Sequence, residues 1–317
     1  PRGLISLCAR FWPPVVLSHV TGVRSEATGK GVEGWLLACP LTARQMVQLP
    51  PLAVYERLVK AGRLGQKRGA RVLGLGALAA VLGDGGISVA QRLNMPVTNG
   101  NSLTVATAVA VLRGAAEERG LALKETTVAV VGASGSIGLA CAEALGPLVG
   151  QLILVGQREI RLSQARAQVE AAGAANVRVS TEIDAIAGAD VVLAAAGAGG
   201  PLIKSRHLKE SAIVCDVALP SNVASEVQRE REDASVIKGG ILRVPGHADF
   251  GFDFGLPAGR AYACMAEVMV LALEGRYESF SLGQKIPKEN VREIADLARK
   301  HGFKVCPEST SRGRAVR

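Results

Sequence analysis

The sequence predicts a doubly wound α/β fold built on a parallel sheet, with a second α/β domain drawn from the N-terminal part and the C-terminal helices. Three observations predict it. First, six short runs rich in β-branched residues follow one another between Thr126 and Gly240: TTVAVVG, QLILVG, NVRVST, ADVVLAAAG, AIVCDVAL and ASVIKGG. They are almost wholly apolar, as strands covered on both faces must be. Second, SIGLACAEALGPLV separates the first two runs and RLSQARAQVEAAG the next two. Both carry apolar residues at helical spacing, so the chain reads βαβαβ and onward. Third, the flanks break this rhythm, which sets domain limits near residues 120 and 245.

The first flank is harder to parse. LAVYERLVKAGRLGQKRG reads as a helix, RVLGLGALAAVLGDGG as a strand running into a glycine-rich loop, and SLTVATAVAVLRGAAEERG as a helix leading into the sheet. In the second flank a loop rich in Gly, Pro and Phe (VPGHADFGFDFGLPAG) precedes a long apolar helix, RAYACMAEVMVLALEG. A last helix is expected from Lys288 to His301, and the tail ESTSRGRAVR is expected to be disordered. No internal repeat is present.

A length of 317 residues suits two domains, or one with an insertion. Lys plus Arg outnumber Asp plus Glu by 37 to 28, a net charge of +9. Such an excess suits an acidic carrier protein, a nucleic acid or a membrane surface, and serves solubility alone equally well. No basic run with interleaved aromatics occurs, so no nucleic-acid partner is expected. The six cysteines (Cys8, Cys39, Cys141, Cys215, Cys264, Cys306) are far apart, with no CxxC and no neighbouring His pair. Neither a metal site nor a disulfide framework is expected, and reduced thiols fit a cytoplasmic protein. Pro13 and Pro14 break the apolar start, and no run of membrane length follows. The start at Pro1 rather than Met is compatible with a natural chain that begins earlier.

The loop Gly132, Ala133, Ser134, Gly135, Ser136, Ile137, Gly138 follows a strand and opens a helix, the context that gives a GxxGxxG meaning. Glycines there let the backbone turn tightly and approach a pyrophosphate, whose charge meets the N–H groups of the helix start. A tight turn that merely packs helix on strand is the competing reading. Where the second strand ends, an acid would grip a ribose diol; here stand Gly156, Gln157 and Arg158, with Arg161 a turn on. Arg158 and Arg161 suit a 2′-phosphate, which selects NADP(H).

Cys8, Cys39, Cys141, Cys215 and Cys306 read as small hydrophobes. Cys264 stands apart. With a helix beginning after Pro257, it is expected about two turns in, with Arg260 four residues earlier on the same face. A helix N-terminus and a nearby cation favour the thiolate, and a nucleophilic cysteine beside a nicotinamide implies thioester chemistry. The Ala, Met and Val around Cys264 describe a core helix equally well.

AYACMAEVMVLALEGRYESFSLG, followed by a helix ending KHGF, resembles the C-terminal signature of the long-chain acyl-(acyl carrier protein) reductases, which form aldehydes. The resemblance continues through VIKGGI (Lys238, Gly239, Gly240), GASGSIG where that family shows GATGDIG, and TNGNSLT (Thr98, then Asn99 to Thr104) where it shows TTGN. It covers most of the chain from about residue 50. It implies that Cys264 is the acylated nucleophile, that Glu267 matches the family's glutamate, and that an acyl group on an acidic carrier protein or coenzyme A is reduced by NADPH to a fatty aldehyde. Ser136 departs from the family's Asp, and DVALPSN at Asp216 to Asn222 from a DGGYPKN-like turn. Lys238, Asn101 and Thr104 are candidates for orienting groups, Arg260 for lowering the thiol pKa, and His247 for proton transfer. Three other readings stand beside this one: an enzyme like glutamyl-tRNA reductase, an NADP-dependent dehydrogenase of a small substrate such as a shikimate-type acid, and a non-catalytic NADP-binding regulator.

Overall fold

The computed structural model describes residues 12–197 and 200–309, which fall into two compact units. The first comprises residues 12–103, 242–284 and 292–304, and the second residues 104–197, 200–241, 285–291 and 305–309. Cys8 and most of the C-terminal tail lie outside the described residues.

The first unit opens with β1 (Val15–Arg24) and β2 (Gly31–Ala38), an antiparallel pair whose register shifts twice. Helix α1 (Pro51–Lys67) starts with proline at its first position, where the missing N–H costs nothing. It buries Val54, Leu58 and Val59 in a core shared with Leu75, Val89, Leu93 and Val97. The segment read as a strand entering a glycine-rich loop holds only a two-residue strand, β3 (Leu73–Gly74), parallel to β4 (Val97–Thr98). Asn101 opens helix α2 (Asn101–Glu118).

The second unit holds the predicted six strands: β5 (Thr127–Val131), β6 (Gln151–Val155), β7 (Val177–Ser180), β8 (Val191–Ala194), β9 (Ile213–Asp216) and β10 (Ser235–Lys238). They are parallel, in the spatial order β10-β9-β8-β5-β6-β7. Renumbered from the first strand, this is 3-2-1-4-5-6, the order of a dinucleotide-binding Rossmann sheet, whose direction reverses between β5 and β8. Alternate residues face opposite sides. Val128, Val130, Leu152, Leu154, Val191 and Leu193 pack on α2, on α3 (Ser136–Leu145) and on α4 (Glu159–Ala171). Ala129, Val131, Ile153, Val192, Val214 and Val236 pack on the opposite face with Ile186, Ile203 and Val227. Each fully buried Leu or Ile contributes about 1.5–3 kcal/mol relative to exposure. Helix α2 supplies Val105, Ala108, Val111 and Leu112 to this core, so by packing the units divide inside the helix, after Leu103.

After β10 come β11 (Ile241–Arg243), β12 (Gly246–Asp249) and β13 (Arg260–Tyr262), then helix α5 (Ala263–Glu274) and helix α6 (Lys288–His301). β12 joins the edge of β1, and β11 pairs with β13 and with β14 (Lys304–Val305). The expected disorder of the tail does not begin at Glu308: β15 (Glu308–Ser309) pairs antiparallel with β10, because backbone pairing at an open sheet edge satisfies its polar groups. Among the described residues no helix is long and apolar enough to cross a membrane.

Candidate active site

Two sites emerge, one in each unit. In the second unit the glycine loop leaves β5 with Gly132 at φ +84°, a left-handed conformation that glycine adopts without strain. A Cβ there would come within 2.7 Å of the Ala196 backbone, beyond the end of β8. Gly138, in the first turn of α3, has no room for a side chain against the Gly132 carbonyl. The glycines thus bring strand end and helix start together at the switch point of the sheet. The cleft there has a volume of about 400 Å³ and is lined by Gly132, Ser134, Gly135 and the stretch Gly156 to Arg158, with Arg161. Ala133 instead turns fully into the core, Ile137 packs against it, and Ser136 is the first residue of α3. A glycine cradle at a helix start, with two exposed guanidinium groups on its rim, fits the pyrophosphate and ribose end of a dinucleotide. The unit is a Rossmann-like NAD(P)-binding domain.

In the first unit the site is centred on Cys264. Residues 260–262 form β13 rather than helix, so α5 begins at Ala263 and Cys264 is its second residue, not two turns in. Arg260 therefore sits on the preceding strand and not on the helix face of Cys264. Burial alternates along Arg260, Ala261 and Tyr262, with only Ala261 fully covered, as on a strand. Cys264 is a partly exposed residue. Dense surrounding protein raises its pKa above the ordinary 9.0, backbone N–H groups of Ala77 and Met265 lower it in part, and the nearby Glu267 raises it again. The balance opposes the lowered pKa that a same-face Arg260 would give. Alkylation of Cys264 by iodoacetamide, followed by peptide mapping, is therefore expected to climb about tenfold per pH unit from 7 to 9, since the thiolate is the nucleophile. Levelling near pH 7 would contradict a raised pKa.

Ala77 was not singled out in the sequence. It has φ +49° and ψ −132°, a backbone shape normally left to glycine and costing about 1–3 kcal/mol. Its backbone N–H helps lower the Cys264 thiol pKa, and a local hint was the run Gly74-Leu75-Gly76 before it. Gly100 lies against Cys264 from the other side: a Cβ there would come within 2.5 Å of the Cys264 Cβ.

Glu267, one turn after Cys264, is fully buried and gathers this segment rather than facing open space. The Thr98 hydroxyl donates to Oε1, and the Leu103 N–H donates to Oε2 at 2.9 Å. Burial raises its pKa, opposed by hydrogen bonds from Thr98, Leu103, Ser281 and Gly100. The Ser281 N–H donates to Thr98 Oγ1 at 3.1 Å, and the Ser281 hydroxyl to Ser102 at 2.7 Å. The Asn99 amide donates to the Gly85 carbonyl at 3.0 Å. The start of α2 is thereby fixed to α5. Asn101 belongs to that start, and Thr104 stands one turn further along α2. Lys238 ends β10 in the second unit, in register with Asp216 of β9. His247 lies exposed on β12, and its carbonyl backs onto Gly22. Of the remaining cysteines, Cys141 and Cys215 are fully buried in the core of the second unit, where burial pushes the Cys141 thiol to about 12. Cys39 and Cys306 are partly exposed.

Residues 114–238 match the shikimate/quinate 5-dehydrogenase family. The chain is 26% identical over 311 residues to a long-chain acyl-[acyl-carrier-protein] reductase of Synechococcus elongatus, covering 92% of this chain and 89% of that protein. It is 31% identical over 290 residues to the aminotransferase PigE of a Serratia species, covering 89% of this chain but 33% of the relative, so it spans about a third of that protein's length. Among solved structures, quinate dehydrogenase from Corynebacterium glutamicum in complex with NAD aligns at 26% identity over 36% of this chain and 44% of that one, with a TM-score of 0.29. The class these findings define is an oxidoreductase fold with an NAD(P)-binding domain of the shikimate-dehydrogenase type. More particularly, the chain is a distant homologue of a long-chain acyl-carrier-protein reductase.

Proposed function

We propose that the protein reduces a fatty acyl thioester to the aldehyde with NADPH, through an acyl group carried on Cys264. The observation that carries this reading is the seat of Cys264: a partly exposed cysteine in the first turn of α5, with the Ala77 N–H favouring its thiolate and Gly100 closing it in, in a chain that also holds a dinucleotide cleft. A dehydrogenase acting directly on a free hydroxy acid has no use for such a thiol. The Cys264 sulfur attacks the acyl carbon, the donor thiol leaves, and the bound acyl group is reduced in place. NADPH supplies the hydride when bound. Gly132, Ser134 and Gly135 hold its pyrophosphate, and Arg158 and Arg161 meet its 2′-phosphate. Ala77 and the start of α5 hold the thiolate by backbone dipoles. Glu267 acts through position, because its oxygens are already occupied by Thr98 and Leu103.

The acyl donor is an acidic carrier protein or coenzyme A, either of which suits a chain of net charge +9. Lys238 and Thr104 remain orienting candidates in this scheme, and a cytoplasmic setting fits its thiol chemistry. The direct test is intact-mass analysis of the protein after incubation with a long-chain acyl thioester and no NADPH. One acyl mass on the peptide containing Ala263-Cys264-Met265, discharged as aldehyde when NADPH is added, is the expected result; no adduct would sink the reading.

Cofactor choice has its own expected outcome. NADPH should bind more tightly than NADH, and Arg158→Ala and Arg161→Ala should each weaken NADPH by about ten- to a hundredfold, on the order of the 1.5–3 kcal/mol of a charged hydrogen bond. NADH affinity should change little. Fluorescence titration measures both, and equal wild-type affinities for the two cofactors would overturn the assignment.

A further inference from the structure

The donors at the start of α2 are almost all committed. The Leu103 and Gly100 N–H groups go to Glu267, and the Asn101 N–H goes to Asn99 Oδ1 at 3.1 Å. The side-chain amide of Asn101 is not committed. The residue is 2% exposed, yet its Nδ2 is buried without a hydrogen-bond partner. An unpaired buried donor costs about 1–3 kcal/mol, and folded proteins rarely leave one without a reason. This one belongs to the residue next to Gly100, whose backbone lies against Cys264.

We propose that Asn101 is the oxyanion donor of the acylation step, a role that rests on the acyl-enzyme reading above. As Cys264 Sγ, having lost its proton to water, forms its bond to the thioester carbon, the carbonyl π pair moves onto oxygen and Asn101 Nδ2–H receives it. Collapse returns that pair, breaks the bond from carbon to the donor's sulfur, and releases a thiolate that takes up a proton from water. The donor is preorganised, because Asn99 and Glu267 hold the turn on which Asn101 stands. No reorganisation is then needed at the moment charge develops.

The test compares two reactions of the same sulfur in the full-length protein: acylation by palmitoyl-coenzyme A without NADPH, timed by intact mass, and alkylation by iodoacetamide, which builds no oxyanion. Asn101→Ala should slow acylation by about 10²–10³-fold, the usual loss of one oxyanion-hole donor, while alkylation of Cys264 stays within twofold of wild type. Asn101→Asp keeps the shape but places an acceptor where a donor is needed, and its acylation should be slower still. Acylation within threefold of wild type in both variants would overturn the proposal. So would a parallel loss of alkylation in both, which would make Asn101 only a prop for the thiol. If wild-type Cys264 itself takes no acyl group, the acyl-enzyme reading has failed, and that is visible in the wild-type arm before any variant is compared.

Discussion

Cys264→Ala is expected to lose both the acyl adduct and aldehyde formation, by about 10⁴-fold or more, as for removal of a covalent nucleophile. NADPH binding should be unchanged, because the glycine cleft is built within residues 104–241 of the other unit and owes nothing to this helix. Folding should be little changed as well: alanine keeps the Cβ, suits the first turn of α5, and removes a single atom from a residue that is partly exposed. Cys264→Ser is the harsher test. A hydroxyl keeps the size and the hydrogen-bonding reach of the thiol, but no alkoxide is available at neutral pH, so an ester should form slowly if at all. The measurements are intact mass after exposure to a long-chain acyl thioester, aldehyde release on adding NADPH, and a fluorescence titration of the cofactor. Retained turnover in Cys264→Ala would mean direct reduction of a free substrate, and the protein would then be an ordinary NADP-dependent dehydrogenase with Cys264 as a packing residue.

The nucleotide unit was legible in the sequence because its information is local. Each strand is a short apolar run, each crossover helix announces itself by spacing, and the Gly132 to Gly138 loop falls where strand gives way to helix. Sequence spacing also correctly marked the long helix that carries Cys264, but misplaced its start. Pro257 is a good first residue for a helix, and nothing local says that Gly259 turns instead and Arg260 to Tyr262 extend. The first unit was opaque for a different reason. Its contacts join residues far apart in the chain: Thr98 to Glu267, Leu103 to Glu267, and Val97 to Ser279. Glu267 is marked in sequence by the resemblance alone, and only the fold reveals it as the acceptor that ties the start of α2 to α5. Ala77 is still less visible, since an alanine at positive φ has no sequence signature and is paid for by the tertiary structure around it.

Gly100→Ala should be the most damaging of the small substitutions around the site. Two costs add. Gly100 has φ +73°, and forcing an L-residue into the left-handed region costs roughly 1–2 kcal/mol. The new methyl group would also collide with the backbone and Cβ of Cys264, its carbon only 2.7 Å from the Cys264 carbonyl oxygen. Backbone cannot swing aside as the end of a side chain can, so overpacking of about 1–3 kcal/mol follows. Together these predict a loss of roughly 2–5 kcal/mol, read as a fall in the thermal midpoint of the unit that contains the site. The consequence for chemistry is larger than for stability. Relief can come only by moving the Gly100 turn or the first turn of α5, and either motion shifts the sulfur against Ala77 and Asn101. A displacement of about 1 Å costs on the order of 10²-fold in a positioned reaction, so acylation should fall at least that far even in protein that remains folded. Gly114 gives the matching control. It lies within α2 at ordinary helical φ, and a Cβ there would meet nothing within 4 Å. Gly114→Ala should therefore leave acylation intact and raise stability by about 0.5–1 kcal/mol through helix propensity alone. Thermal melts and timed acylation of both variants decide the matter: if Gly100→Ala melts and acylates like Gly114→Ala, the close seat of Cys264 on the start of α2 has no part in the reaction.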